Sequence, residues 1–600
     1  MVAILFIVTQ SLYSQDSVNY RLPQVIVESS RLSLSQAQMN RSTTVIDSTT
    51  FHTLAPQSVE EALRLFSTVE LRRRGAMGIQ TDIGVRGSTF SQQAILLDGI
   101  RINDPQTAHH NFDIPLVMNS VKQIEIVRGP SSSHFGPDAF GGIVNIVTSP
   151  GAPGASLQFA GGEKGYLQGG ANYGFTSGQF HSTTGVQYEK SDGYRYDTEF
   201  ENMMLSSINS MDLDGATLHL FLGYVKKDFG AFDFYSPGFN IPSHEKTQTA
   251  FTSFGADFGM GGWNITSNLS YRHHFDDFIY KIFDPEYSHN KHNTNVYTVT
   301  VSGRRALSSS FIFEPSLEFN TDNINSTKLG VHQRQFAAVS AITRWYPVLS
   351  LSIDAGVRFD AHSDFENQIH PVVSAGYFLN DRNKVYASFG TSFRAPSYTD
   401  LYYSDPTTVG NPKLKPETGT SYEAGYHFFS GSALQASAAY FYRTQKNLID
   451  YVQFFSGDIY HAENFSEATI QGAELQATWI STRDSSFFRS ASVGYTFIES
   501  ELGAANVFRA QYSLTHPKHQ IDGAITFGIP FEALITFGGS YAHRSNYTDQ
   551  SSFNFTWSRK FDYIDVIIKI TNIFNQPYEE IPGIPLPGRW AIGTVRWNVM

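Results

Sequence analysis

Ile-Glu-Ile-Val-Arg-Gly-Pro-Ser-Ser-Ser-His-Phe-Gly-Pro-Asp-Ala-Phe-Gly-Gly-Ile-Val-Asn-Ile-Val, residues 124–147, stands directly before a change of character in the chain. Upstream of it lies a short mixture of helix-period and strand-like segments. Downstream, about 450 residues alternate apolar and polar positions with no helix-period core. A compact module of this size followed by so long a run of amphipathic strands predicts a plug seated inside a large membrane β-barrel.

Composition narrows the classes open to such a chain. Its 600 residues exceed a usual single domain, so at least two units are expected. Aromatics reach 14% while charged residues stop at 16%, below the roughly 25% typical of soluble domains. Some surface must therefore be unusually apolar or aromatic. A net charge of −12 argues against nucleic acid as a partner. The absence of cysteine excludes disulfides, thiolate metal sites and cysteine nucleophiles, and leaves an oxidising extracytoplasmic compartment open.

Residues 1–14 carry an apolar run over 2–8 followed by small and polar residues. This reads as a secretory signal whose h-region is too short to span a bilayer. It lacks the basic residues that open such signals, so the true start is expected further upstream. A buried first strand is the alternative. Beyond this run no window of 18 or more residues is free of charge, so a membrane span would have to be a barrel.

Period-two alternation recurs over hundreds of residues. Over 349–360, Leu349, Leu351, Ile353, Ala355, Val357 and Phe359 share one face while Ser350, Ser352, Asp354, Gly356, Arg358 and Asp360 share the other. Similar strands are expected at 216–225, 385–394 and 434–443. Strands of about 10 residues with one connection each give roughly 22 strands over 154–600, a size whose lumen is wide enough to be plugged. A soluble propeller or β-helix should show a repeat, and none is found. The predicted fold is mainly β, a 22-stranded antiparallel transmembrane β-barrel occluded by an N-terminal α/β plug domain. The expected boundaries are signal peptide 1–14, periplasmic segment 15–40, plug 41–149 and barrel 154–600.

Within the plug region, 58–66 opens on a capping-box-like Ser58 with Glu61 three residues on, and places Val59, Leu63 and Phe66 at helical spacing. Short strands are expected at 83–86, 94–97 and 123–127. Each ends in a glycine, at 87, 99 and 129, suited to positive φ or close packing. The order of these motifs is more specific than any one of them. Val85-Arg86-Gly87, Leu96-Leu97-Asp98-Gly99, Asn103-Asp104-Pro105, Ile124 to Pro130, and Gly136 with Ala139 to Val147 closely resemble the plug of TonB-dependent outer-membrane receptors of the siderophore and cobalamin type. Ser392-Phe393-Arg394-Ala395-Pro396, Asn411 to Glu417, and Thr571 to Tyr578 resemble that family's barrel landmarks. The last strand, 589–600, departs by ending in Met600 where the family usually ends in an aromatic residue.

The resemblance implies energised uptake of a scarce metal chelate, a ferric siderophore or cobalamin, through the cell outer membrane. It implies as partners TonB with its inner-membrane energising complex, the metal-chelate ligand, outer-membrane lipid and lipopolysaccharide, and a periplasmic binding protein. It implies a monomeric barrel with no resident cofactor or metal. Pro23, Gln24, Val25, Ile26, Val27 and Glu28 form a β-prone run that resembles the TonB box; an ordinary first plug strand is the other reading. Arg86 and Arg128 each follow apolar strand residues and precede glycine, so their charges need partners near the barrel wall. Alternation turns Glu423 and Glu474 toward the lumen. Together the four resemble the family's plug-to-barrel anchoring cluster, solvated lumen charges being the alternative.

Substrate contact is expected from the turn-rich 103–113, in particular His109, His110 and Asn111, where adjacent histidines suit hydrogen bonding or packing more often than metal ligation. Phe232, Phe234 and Tyr235, in a loop expected over 226–235, are further candidates. Asp192, Asp197, Glu199 and Glu201 crowd another loop, read as a solvated acidic loop sooner than a calcium site. No Gly-x-Ser-x-Gly, His-Glu-x-x-His or Gly-x-x-x-x-Gly-Lys motif is present, so no catalytic residue is assigned and an enzyme is not expected. The competing readings are a passive porin-like channel or surface adhesin, or uptake of haem or an oligosaccharide.

Overall fold

The computed structural model describes residues 26–30, 34–47, 51, 56–66, 69–431, 433–483, 486–503, 507–511, 515–545 and 547–599. The expected signal and Pro23, Gln24 and Val25 lie outside the described residues.

Twenty-two long strands, from Gly154–Gly162 to Trp590–Val599, pair antiparallel with their neighbours, and two-residue strands at Thr408–Val409 and Arg509–Ala510 add to one end. The first strand closes on the last, with Ala155 opposite Val599 and Gly161 opposite Gly593, so the sheet has no free edge. Alternation assigns the faces. Along Leu351–His362, Arg358 and Asp360 point inward, fully buried and paired at 2.8 Å, while Val357 and Phe359 point outward and stay exposed. Leu157, Phe159, Leu205, Leu269 and Leu317 continue this outer apolar band, the surface that lipid would cover. Several strands are longer than the expected ten residues. Tyr460–Ile480 has 21 residues, about twice what a tilted strand needs to cross a bilayer, so the wall rises beyond the membrane. One end carries short turns such as 214–215, 261–262 and 309–310; the other carries the long connections 231–243, 395–416 and 572–589. Outer-membrane barrels put the long ones outside.

Inside sits the plug. Its five-stranded sheet runs in the order Thr43–Asp47, Val121–Arg128, Gly142–Thr148, Ala94–Leu97 and Ile100–Arg101, with one parallel pairing between Ala94–Leu97 and Gly142–Thr148. Ile95, Leu97, Ile124, Ile126, Val144 and Ile146 fill its core, each worth about 1.5–3 kcal/mol relative to exposure. Helix Val59–Phe66 starts as the sequence predicts, Glu61 N–H donating to Ser58 Oγ at 3.3 Å, and buries Ala62 and Leu63 against this core.

Beside apolar contacts such as Ile208, Phe221 and Phe251 against the plug core, plug and wall meet through many polar ones. Lys569 reaches Glu61 at 2.6 Å, Arg544 reaches Glu70 at 3.0 Å, Gln92 donates to Glu417 at 2.6 Å, and Lys384 donates to the carbonyls of Ala37 and Met39. A polar seam can exchange its partners for water, which an apolar core cannot do at comparable cost.

Candidate functional site

The first expected strand end is shifted. Thr81–Val85 stops one residue before Arg86, and Arg86 and Gly87 both adopt positive φ, 54° and 69°, between Val85 O and Ser88 N, which hydrogen-bond at 3.2 Å. This matches a type I′ turn. A non-glycine residue there costs about 1–2 kcal/mol, and the side chain's partners offset that cost. Arg86 Nη1 donates to Glu423 Oε2 at 2.7 Å, and its Nε and Nη2 donate to Glu474 Oε2 at 3.0 and 2.7 Å, all three side chains being buried. Tyr386 OH and the Ser42 N–H donate to the other oxygen of Glu423 at 2.5 and 2.9 Å. Arg128 is placed beside this group, 3.5 Å from Glu474 Oε1, with Nη1 donating to Thr44 Oγ1 at 2.8 Å.

The two arginines differ electrostatically. Burial by itself would lower the Arg86 guanidinium, but Glu423 and Glu474 carry it above its ordinary value. For Arg128 burial prevails over Glu474, and the value falls. Gly129 follows Arg128 at φ 84°, and a Cβ there would come within 3.0 Å of Glu423 Oε2. Gly141 packs more tightly still, since a Cβ would stand 2.4 Å from Val85 O.

At the long-loop end, plug residues 89–91 and 106–110 and the upper strands enclose a cavity of about 220 Å³, lined among others by His109, His110, Tyr235, Glu245, Asp276 and His292. His109 stacks on Phe90 at 4.1 Å and hydrogen-bonds with Asp82 at 2.8 Å. Burial pushes its ring below the usual imidazole range. Burial would raise Asp82, but Arg74 at 2.6 Å and His109 hold its carboxyl well below the usual range. The structure does not bring the other candidates here. Asn111 turns into the plug, its Oδ1 accepting from the Asp104 N–H at 2.8 Å. Phe234 is buried beside Gly75 and Phe229, and Phe232 packs on Arg195 and Tyr196.

The expected loop 226–235 is corrected in its first half. Ala216–Gly230 is a barrel strand, because Lys227 faces the lumen, where its ammonium meets Asp113 at 2.7 Å and the carbonyls of Gly78 and Ile79. A lumen-facing lysine breaks a pattern read for apolar faces only. Of the acidic loop, Asp192, Glu199 and Glu201 are exposed, whereas Asp197 is buried and accepts from the Ser243 N–H at 2.9 Å.

Sequence reasoning missed Glu125. This wholly buried side chain accepts from the backbone N–H groups of Glu28 and Ser29 at 2.6 and 2.9 Å, and from Asn145 at 3.0 Å. It thereby holds the strand Ile26–Val27, itself paired with Leu34–Ser35, against the plug sheet. A carboxylate in the apolar run Ile-Glu-Ile-Val was the available signal.

A family model described as TonB dependent receptor-like, beta-barrel matches residues 141–570, and one described as TonB-dependent Receptor Plug Domain matches residues 35–143. The chain is 24% identical over 486 residues to the Vitamin B12 transporter BtuB of Vibrio vulnificus, covering 76% of this chain and 75% of that one. It is 27% identical over 443 residues to the Vitamin B12 transporter BtuB of Photobacterium profundum, covering 70% of each. The siderophore receptor PirA from Acinetobacter baumannii shares the fold with a TM-score of 0.78 at 15% identity, over 96% of this chain and 100% of that one.

Proposed function

Since the chain belongs to the TonB-dependent receptors, a family of outer-membrane transporters, we propose that it imports a small metal chelate, a ferric siderophore or a corrinoid, without covalent chemistry. The observation that carries this reading is the outward cavity, whose floor is plug and whose walls are barrel. A ligand seated there touches both bodies at once, so its binding is sensed where the plug meets the wall. At about 220 Å³ the cavity is smaller than sites that enclose a drug-sized ligand, roughly 300–1,000 Å³. The chelate is therefore held partly by the loops above. The curated relatives are named for vitamin B12 and the structural neighbours for siderophores, which sets the panel to test. The purified receptor should bind at least one ferric chelate or corrinoid saturably, and the same compound should rescue growth under limitation of its metal. Binding of none, with solute entry indifferent to proton uncouplers, would favour the passive channel instead.

The segment around Pro23 to Glu28 is the proposed dock for TonB and its inner-membrane complex, by strand addition. Arg86, Arg128, Glu423 and Glu474 are its proposed anchor between plug and wall, and the outer apolar band its contact with lipid and lipopolysaccharide. Arrival of cargo at a periplasmic binding protein and a monomeric barrel complete the reading. Glu125 would keep the docking segment parked until it is pulled. Glu125→Ala removes the acceptor of two backbone N–H groups, at about 1.5–3 kcal/mol for each hydrogen bond to a charged group. Protease cleavage near residues 26–35 should then rise by at least about 10-fold in a barrel that stays folded. An unaltered cleavage rate would refute the parking role.

A further inference from the structure

His110 ends the 3-10 turn Ala108–His110 where the plug meets the wall. Its Nε2 stands 3.5 Å from Asp276 Oδ2 and 3.8 Å from Glu245 Oε1. These spacings are longer than the usual N–H···O hydrogen bond of about 2.7–3.2 Å. Nitrogen and oxygen ligands at about 2.0–2.2 Å from a tetrahedral ion lie roughly 3.3–3.6 Å from one another; the Asp276 spacing falls in that range, the Glu245 spacing lies just beyond it, and one ligand atom from each of the three residues lies within 4.8 Å of the others. We propose that His110, Glu245 and Asp276 bind one divalent transition-metal ion of the zinc class, bridging the plug to the barrel wall.

Charge supports the assignment. Asp113 is matched by Lys227 at 2.7 Å and Asp104 by Arg272 at 2.5 Å. Among the described residues, Glu245 and Asp276 have no lysine or arginine within ion-pair distance, only His110. Two carboxylates at 1% and 4% exposure face one imidazole, and a dication is the ligand that lets both be ionised while buried.

Unused donors give independent support. Asp276 Oδ1 and Gln106 Oε1 are buried without a hydrogen-bond partner among the described residues. The outer contacts are those a metal site requires: Gln106 Nε2 donates to Asp276 Oδ2 at 2.8 Å, and Tyr235 OH donates to Glu245 at 2.9 Å. Asp113 Oδ2, buried without a hydrogen-bond partner among the described residues, lies 3.4 Å from His110 Nδ1 on the far side of the ring, one small shift from the place of an orienting carboxylate. All three ligands line the outward cavity, so the fourth position opens to solvent. One imidazole with two carboxylates suits zinc, cobalt or nickel. Calcium wants six to eight oxygens, and the site does not supply them.

The site needs neither TonB nor a chelate, so its test stands apart from that of uptake. The full receptor, purified in detergent and stripped with EDTA, is titrated with Co²⁺ alone and with Zn²⁺ alone. We expect one tight equivalent, with the intense visible absorption of four-coordinate cobalt that Zn²⁺ bleaches. Glu245→Gln and His110→Gln should each weaken it by more than about 100-fold, and Tyr235→Phe by about 10-fold, the range of an outer-contact loss. Folding of each variant is checked by its mobility as an unheated barrel. Six-coordinate cobalt in the wild type, no retained ion, or equal loading of wild type and folded variants would overturn the site. The wild-type spectrum decides the matter even if a variant fails to fold.

Discussion

Exchanging Arg86 for alanine should unseat the plug and make the barrel leak. The guanidinium satisfies Glu423 and Glu474 with three hydrogen bonds of 2.7–3.0 Å in a region closed to water. Its removal leaves two buried carboxylates facing each other, and breaking a buried pair from one side costs about 3–5 kcal/mol. That corresponds to a shift of roughly 10²–10⁴-fold away from the seated plug. Alanine keeps the Cβ, so the strain of the positive φ at residue 86, about 1–2 kcal/mol, remains and offsets none of this loss. Arg128→Ala should do less, since Arg128 stands 3.5 Å from Glu474 and keeps its closer contact with Thr44. Conductance in planar bilayers reads the difference. Adding Glu423→Gln and Glu474→Gln to Arg86→Ala removes the stranded charges and should recover part of the seal. A tight Arg86→Ala barrel would show that the cluster does not hold the plug.

The wall was legible in the sequence because a strand repeats every two residues, and one polar position in a stretch such as 349–360 fixes the face of all the others. The same alternation aimed Glu423 and Glu474 inward without an image of the fold. It could not say which inward residue meets which plug residue. That depends on the stagger of the closed barrel, a property of all 22 strands together. Glu245 and Asp276 face inward by the same rule as dozens of others, and only closure brings them to His110. Arg86 was placed at a strand end because its neighbours are β-prone. Its actual turn depends on two successive positive φ values, which an arginine does not advertise. Lys227 was lost to a loop for a similar reason, since a lumen wall tolerates charge wherever the plug supplies a partner.

Deleting residues 15–28 should abolish energised uptake while leaving chelate binding intact. The cavity that receives the ligand lies at the long-loop end and, among the described residues, takes no lining residue from this segment. Force has a short route from it to the anchor. Glu28 and Ser29 hang from Glu125, and Glu125 lies three residues before Arg128 on the strand Val121–Arg128, whose end touches the Arg86 cluster. A pull on the segment is therefore delivered along one strand to the polar seam where the plug is held. Strand-on-strand pulling loads several hydrogen bonds at once, so a partner that adds to this edge grips before the seam yields. Uptake by the deleted receptor should fall to the level of uncoupler-treated wild type, and uncoupler should lower it no further. Intact uptake after deletion would place the site of energy transfer elsewhere on the periplasmic face. Loss of binding together with uptake would mean that the segment also shapes the cavity, a link for which the described contacts offer no path.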